Sequence, residues 1–153
     1  MVTKLKWSLP CIALFLASLV ALTGCPGAGD RLRADEEATA TKVGDSICFG
    51  IPDAEDYQPV NIAINPKGTD FSDRQIIFDP KLRVMKEQLC ISPSFYHFPD
   101  KGQFIVSYVL ISKRHQDEPR RMVAGLEFSP GHVFNIPLTD MEILRPYNEM
   151  NIP

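Results

Sequence analysis

Residues 102–113, Gly-Gln-Phe-Ile-Val-Ser-Tyr-Val-Leu-Ile-Ser-Lys, decide the fold class of this chain. Successive side chains of a β-strand point to opposite faces of its sheet. One face of this stretch would carry Phe104, Val106, Tyr108 and Leu110, and the other Ile105, Val109 and Ile111. A strand that is apolar on both faces usually lies in the interior of a sheet. The pattern therefore predicts a central β-strand.

Shorter stretches with strand-like patterns flank this central strand. They lie at residues 39–43, 46–51, 57–65, 82–85, 88–91, 120–128 and 132–136, and residues 75–78 are ambiguous. Pro59 lies within one of them and predicts an edge strand or a late strand start, because proline has no N–H to donate. Thr139 followed by Glu142 predicts one capped helical turn. Seven to eight short antiparallel strands indicate an all-β fold, an immunoglobulin-like β-sandwich, with a small β-barrel as the alternative.

The N-terminal residues have the pattern of a bacterial lipoprotein signal. A positive start and a short apolar run end in Leu22-Thr23-Gly24-Cys25, which reads as a lipobox. We expect residues 1–24 to be a signal peptide and Cys25 to carry the lipid; an uncleaved anchor helix is the alternative. Pro26, in place of Asp, favours the outer membrane over the inner one. Residues 25–38 then form a flexible tether, and 39–153 a single domain.

The charge balance limits the partners of the chain. The formal net charge is −3. Residues 25–153 contain 14 basic and 19 acidic side chains, a net charge of −5. A negative chain is a poor binder of nucleic acid and of anionic lipid surfaces, so membrane contact is expected through the lipid alone. The composition is compatible with a basic protein partner.

Two cysteines remain after the leader and the lipidated residue. Cys48 and Cys90 each alternate with large apolar neighbours, so both point away from the predicted core. Pairing is expected in an oxidising compartment if the two strands are neighbours. The alternative is two unpaired buried thiols. We predict a disulfide between them.

The chain has no pattern that specifies catalysis. His97, His115 and His132 lack metal-ligand spacing, and the sequence has no Cys-x-x-Cys pair, nucleophile elbow or phosphate-binding glycine loop. Its acidic loops at 53–56 and 117–118 are typical of solvated surface charge. The sequence therefore predicts a protein that is not an enzyme, with no metal and no cofactor.

The stretch at 94–100, Ser-Phe-Tyr-His-Phe-Pro-Asp, is the most distinctive loop. One interpretation is a sandwich corner in which Tyr96 bonds the backbone. The other is a recognition loop, since aromatic and arginine side chains carry most of the binding energy in protein interfaces. The candidate partner-binding residues near the ends of predicted strands are Tyr57, His97, Phe98, His115, Arg120 and Arg121.

A series of motifs in order along the chain resembles a known family. They are Cys25-Pro26-Gly27, Gly29-Asp30-Arg31-Leu32, Ile47-Cys48-Phe49, Tyr57-Gln58-Pro59-Val60, Gln88-Leu89-Cys90-Ile91, Phe95-Tyr96-His97-Phe98-Pro99-Asp100-Lys101-Gly102, Asp117-Glu118-Pro119-Arg120-Arg121 and Glu142-Ile143-Leu144. The chain is similar to small enterobacterial lipoproteins described as type VI secretion immunity periplasmic lipoproteins. The resemblance implies a periplasm-facing anchored protein that binds and neutralises a toxic effector. The alternatives are an envelope-maintenance lipoprotein and a small-ligand-binding module without a toxin partner.

Overall fold

A computed structural model describes residues 33–146 and 149 of the chain. The predicted signal peptide 1–24, Cys25 and the first part of the predicted tether lie outside these residues. The described strands are β1 (Glu36–Glu37), β2 (Ala40–Val43), β3 (Ser46–Gly50), β4 (Gln58–Pro66), β5 (Ile76–Phe78), β6 (Val84–Met85), β7 (Gln88–Ile91), β8 (Gly102–Ile111), β9 (Arg120–Ser129) and β10 (His132–Asn135). The fold is all-β, as the sequence predicts, with ten strands in place of the seven to eight expected.

The strands form two open sheets that pack as a β-sandwich, which excludes the alternative of a single closed sheet. The larger sheet has the order β1-β9-β8-β4-β5, with β10 also paired to β9, and the smaller one has the order β2-β3-β7-β6. Taking β2 to β9 as strands A, B, C, C′, D, E, F and G, the sheets read ABED and GFCC′. This is the strand order of immunoglobulin-like sandwiches.

The stretch that decides the fold class is the central strand of the larger sheet. β8 pairs antiparallel with β4 on one side and with β9 on the other. Its inward side chains are the four that the sequence assigns to one face, Phe104, Val106, Tyr108 and Leu110, and all of them are buried. They meet the inward face of β3 and β7, which contributes Ile47, Phe49, Leu89 and Ile91. Alternation alone therefore predicts this half of the core.

The last residues of the predicted tether belong to the fold. Glu36 and Glu37 pair with Met122 and Val123 of β9 in the parallel direction, and the Ala38 N–H donates to the carbonyl of Val123. Ala38 itself is buried. The described domain therefore includes residues before 39, and one of its strand pairs is parallel where the sequence predicts only antiparallel ones.

The strand that contains Pro59 is not at an edge. β4 lies between β8 and β5, and its pairing with β8 shifts register between Pro59 and Asn61. β5 is short and pairs only with residues Asn61 to Ala63, so it ends before the proline. A bulge on one side and an open position on the other remove the need for an N–H at Pro59. The edge-strand alternative was therefore wrong, and β4 begins at Gln58, one residue before the proline and one residue later than predicted.

The predicted disulfide is present. Cys48 on β3 lies directly opposite Cys90 on β7, and the Cα atoms are 4.0 Å apart. The bond links neighbouring strands of one sheet, whereas antibody domains link strands B and F across the two sheets. At the B–F position this sandwich has an aromatic pair: the rings of Phe49 and Tyr108 meet edge-on with centroids 5.8 Å apart.

The hydroxyl of Tyr108 is buried without a hydrogen-bond partner among the described residues. Burial raises the pKa of this hydroxyl above its ordinary value, so the group stays neutral. We expect Tyr108→Phe to leave the free energy of unfolding unchanged or to raise it by up to about 1 kcal/mol, because an unpaired buried hydroxyl is unfavourable. Urea unfolding measures the change. A loss larger than about 1 kcal/mol would mean that the hydroxyl is hydrogen-bonded.

The outer face of the larger sheet is covered in part by the residues that follow β10. Val123 packs there with Leu138 and Ile143, and Ile105 of β8 packs against them. The covering segment is held by a turn in which Glu142 accepts a hydrogen bond from the Thr139 N–H at 2.8 Å. A side chain that accepts from the N–H three residues earlier is the hydrogen bond expected of a capping box, although these residues form a turn and no helix. This segment thus covers only part of the second apolar face that the sequence predicts for the central strand.

Candidate functional site

Two loops meet at one end of the sandwich, which we call the loop end: the β3–β4 loop (51–57) and the β8–β9 loop (112–119). Loops at this end correspond to strand connections B–C and F–G, two of the binding loops of antibody variable domains. Three of the six candidate binding residues, Tyr57, His115 and Arg120, come together here. His97, Phe98 and Arg121 lie elsewhere.

Tyr57 is the centre of the loop end. Its side chain is 5% exposed, and its hydroxyl donates to the carbonyl of Glu118 at 2.8 Å. The His115 ring lies parallel to the Tyr57 ring with centroids 6.3 Å apart, and the guanidinium of Arg120 lies 5.2 Å from the Tyr57 ring centroid. Tyr57 therefore holds the loops together, and only His115 of the three is exposed to a partner.

Arg120 joins three separate segments. Its Nε and Nη2 donate to the two carboxylate oxygens of Glu36 at 2.7 and 2.5 Å, and its Nη1 donates to the Asp53 carbonyl at 3.2 Å. The hydrogen bonds to Glu36 raise the pKa of Arg120 above its ordinary value. The two-pronged pair fixes β1 to the start of β9, and the bond to Asp53 fixes the β3–β4 loop there. Arg120 is therefore a brace of the fold.

Asp56 fixes the β8–β9 loop from the other side. Its carboxylate accepts hydrogen bonds from the Ser112 hydroxyl at 2.5 Å and from the N–H groups of Lys113 and Arg114 at 3.0 and 3.3 Å. The Ser112 hydroxyl in turn accepts from the N–H groups of Arg114 and His115. Together these contacts hold the first turn of the loop in one conformation.

The Asp56 brace should depend on pH. The hydrogen bond from Ser112, followed by those from the two backbone N–H groups, lowers the pKa of Asp56 below its ordinary value. A lowered folded-state pKa stabilises the domain above the ordinary value, and that stabilisation is lost as pH falls through the folded pKa. We expect Asp56→Asn to melt below the parent at pH 7 and the gap to narrow in acid. Melting temperatures between pH 2 and 7 measure this, and a gap independent of pH would contradict it.

The exposed side chains of the loop end are of mixed charge. The two loops expose the acidic residues Glu55, Asp117 and Glu118 and the basic residues Lys113 and Arg114. The backbone of Glu55 is in the left-handed region with φ 39°, and its carboxylate lies 3.4 Å from His115 Nε2. A non-glycine residue in this region is uncommon and needs support from its surroundings. The two braced loops therefore present charged groups on a fixed backbone.

His97 and Phe98 lie at the opposite end of the sandwich. Phe98 is half-buried and stacks on Phe128 at 4.7 Å between centroids, with Tyr96 edge-on at the same distance. His97 is exposed and borders a cleft of 320 Å³. Phe98 closes this end of the core, and His97 is the more accessible of the pair. Among the residues that the structure describes, Tyr57 bonds the backbone through its hydroxyl, whereas Tyr96 packs on Phe98 without the backbone bond that the corner interpretation predicts.

Arg121 points to the outer face of the larger sheet. It forms an ion pair with Asp35, whose side chain is 5% exposed and whose Oδ2 also accepts from the Leu144 N–H at 2.7 Å. Through Asp35, Arg121 therefore connects the segment before β1 and the segment around Leu144 to β9. Sequence reasoning missed Asp35, Glu36, Asp56 and Ser112, because the first two lie in the expected tether and none has a local motif.

The described residues contain no group of three or more histidine, cysteine or acidic side chains placed to hold a metal ion. No helix within residues 33–146 is long and apolar enough to cross a membrane.

The fold and the braced loops define an immunoglobulin-like sandwich with an ordered loop end. The chain belongs to the DUF7480 family, a domain of unknown function whose family model matches residues 35–131. That match begins at Asp35, beside the strand that the predicted tether includes. No curated protein and no solved structure has a significant match to the chain.

Proposed function

We propose that this chain is a protein-binding module that neutralises a toxic effector delivered into the periplasm by type VI secretion. The observation that carries the proposal is the bracing of the loop end by Asp56 and Arg120. Binding is opposed by the entropy lost when loops become ordered, so loops that are already held in one conformation bind more tightly. The resemblance to immunity lipoproteins indicates the kind of partner, a toxic effector.

The proposed contact surface differs from the six residues that the sequence favours. His115 remains on it, together with the exposed charges Lys113, Arg114, Asp117 and Glu118 of the same loop. Tyr57 and Arg120 support the surface from below, since both are largely buried. Charged side chains at the rim of such a surface steer association and select the partner.

Protection from attack tests this function in the cell. A strain without the gene is mixed with an attacker that has an active type VI apparatus. We expect the strain to survive at least about tenfold less well than its parent, and equally well when the apparatus is inactivated. Equal survival in both mixtures would overturn the proposal.

Point variants test the surface. Asp117→Lys reverses an exposed charge at the loop end, and Asp100→Lys makes the same change at the opposite end. We expect Asp117→Lys to weaken protection while the amount of folded protein is unchanged, and Asp100→Lys to protect as well as the parent. The reverse pattern would assign binding to the end that contains His97.

The proposal also places the protein at the periplasmic face of the outer membrane, anchored by lipid at Cys25. Multiple lipid chains on one residue anchor firmly, whereas one chain binds marginally. Cys25→Ala should give a protein that is neither processed nor retained in the membrane fraction. Lipid labelling and fractionation measure this outcome. An intact lipid label on that variant would contradict the assignment.

A further inference from the structure

A groove crosses the outer face of the larger sheet beside the segment that follows β10. Its volume is 460 Å³, within the range of about 300–1,000 Å³ that small-molecule sites occupy. The floor includes Ala63 on β4 and Ser107 on β8, two small residues that lie directly opposite each other in the sheet. Short side chains at these two positions leave open space above the sheet.

Large apolar side chains form the rims of the groove. Phe71 comes from the side of β5 and is 86% exposed. Met141 belongs to the segment that packs on β9 and is 85% exposed. Single exposed apolar residues are common, whereas a contiguous group of them around a concave surface usually marks a binding site. The groove is therefore suited to a ligand with an apolar body.

The charged side chains that line the groove are ion-paired, with one exception. The pairs are Asp140–Arg145, Glu142–Lys67 and Arg121–Asp35. The exception is Arg74, which has no carboxylate partner within the part of the chain that the structure describes. Its Nε donates to the Thr69 carbonyl at 3.4 Å, and its guanidinium lies 5.5 Å from the centroid of the Phe71 ring. One positive charge at the rim thus remains for a ligand.

The backbone beneath the groove favours an acyl chain over a peptide. Ala63 lies between Ile76 and Ser107 in the sheet. Ser107 in turn lies between Ala63 and Val123. Strands in the interior of a sheet use their N–H and carbonyl groups to pair with both neighbours. A peptide on this floor would leave its own backbone groups without partners, which is unfavourable, whereas an acyl chain has no such groups.

We propose that the groove binds a long-chain fatty acid. The acyl chain lies over Ala63 and Ser107 between the two apolar rims, and the carboxylate accepts hydrogen bonds from the terminal nitrogens of Arg74. A guanidinium matches one carboxylate through two parallel hydrogen bonds, so the single unpaired charge of the groove fits a single anionic head group. The site shares no residue with the loop end, and it does not depend on toxin neutralisation.

Photolabelling tests the site in the full chain. A palmitic acid analogue with a diazirine in its chain is added to extracts of cells that produce the protein, and mass spectrometry maps the labelled peptides after irradiation. We expect the label in the peptides that contain Phe71 and Met141. Arg74→Gln should lower labelling about tenfold, because it removes the charge-assisted hydrogen bonds. Arg83→Gln is the matched control, since Arg83 is an exposed arginine before β6, outside the groove, and its labelling should equal that of the parent.

A second variant fills the groove from its floor. The Ser107 side chain points away from the core, because its neighbours Val106 and Tyr108 point into it. We expect Ser107→Phe to reduce labelling to background, with a melting temperature close to that of the parent. Strong labelling of a folded Ser107→Phe variant would contradict the proposed position of the chain.

Competition identifies the ligand class. Unlabelled palmitate should displace the probe, and hexadecanol, which has the same chain without the charge, should require at least about tenfold more. Equal competition by hexadecanol, or equal labelling of Arg74→Gln and the parent, would overturn the proposal. So would stronger competition by hexadecyl phosphate, which would assign a phosphate head group, or by an apolar peptide with a free C-terminal carboxylate. Labelling that appears only after deletion of residues 147–153 would assign the groove to the chain's own end.

Discussion

Replacing Cys48 and Cys90 together by alanine should lower the free energy of unfolding by about 4 kcal/mol. The bond joins residues 42 apart in the sequence. In the chain-entropy model a cross-link of this span removes many conformations from the unfolded chain, and its loss restores them. For a domain of this size the change corresponds to a fall in melting temperature of about 15 °C. Thermal unfolding of the parent and the variant measures it.

The single variants are the control for this result. Cys48→Ala and Cys90→Ala each break the bond, so each should lose nearly the full amount, and the double variant should lose little more. Such strong non-additivity is the signature of two residues that act through one interaction. Small losses that add up in the double variant would mean that the bond contributes nothing and that only local packing has changed.

The central strand and the two cysteines show which features of the fold the sequence could predict. Period-two alternation in residues 102–113 predicts the central strand and its buried face, and the structure confirms both. Alternation also predicts that Cys48 and Cys90 lie on equivalent faces of their strands, although it left open whether those strands are neighbours, as the structure shows them to be. These predictions succeed because they depend on side chains a few residues apart, and local spacing is what a sequence displays directly.

Elements that depend on distant partners could not be predicted. β1 is a pair of glutamates without alternation, and it is held by Arg120, 84 residues later in the chain. Pro59 is acceptable in an interior strand only because the neighbouring β5 ends before it and the pairing with β8 forms a bulge beside it. Neither condition is visible in the residues around the element itself. The sequence therefore misplaces the start of the domain and the position of β4.

The six candidate binding residues have different roles in the structure, and these roles also depend on distant partners. Arg120 and Arg121 are neighbours on one strand, so they point to opposite faces: one braces the loop end and the other binds Asp35 on the outer face. Aromatic and arginine side chains are typical of binding sites, but they are also typical of core edges and ion-pair braces. Residue type alone could not separate these uses, whereas burial and hydrogen-bond partners do.

Phe49→Ala should lower the free energy of unfolding by about 4 kcal/mol, the range measured for large buried aromatic residues. Phe49 is fully buried, and its ring meets Tyr108 across the two sheets at the position that a disulfide occupies in antibody domains. Alanine leaves a cavity between two rigid sheets that cannot close around it. Phe71→Ala is the matched control, because its ring is 86% exposed and its loss should change stability by less than about 0.5 kcal/mol.

Combining Phe49→Ala with the two cysteine replacements separates two mechanisms. The disulfide acts mainly on the unfolded chain, whereas Phe49 acts on the packed core, so their effects should add although Cys48 and Phe49 are neighbours. The sum of about 8 kcal/mol falls within the total stability of ordinary domains, about 5–15 kcal/mol. We therefore expect the triple variant to be largely unfolded at 37 °C while each partial variant folds, as read by circular dichroism. A triple variant no less stable than Phe49→Ala alone would mean that the disulfide only supports the same core contact.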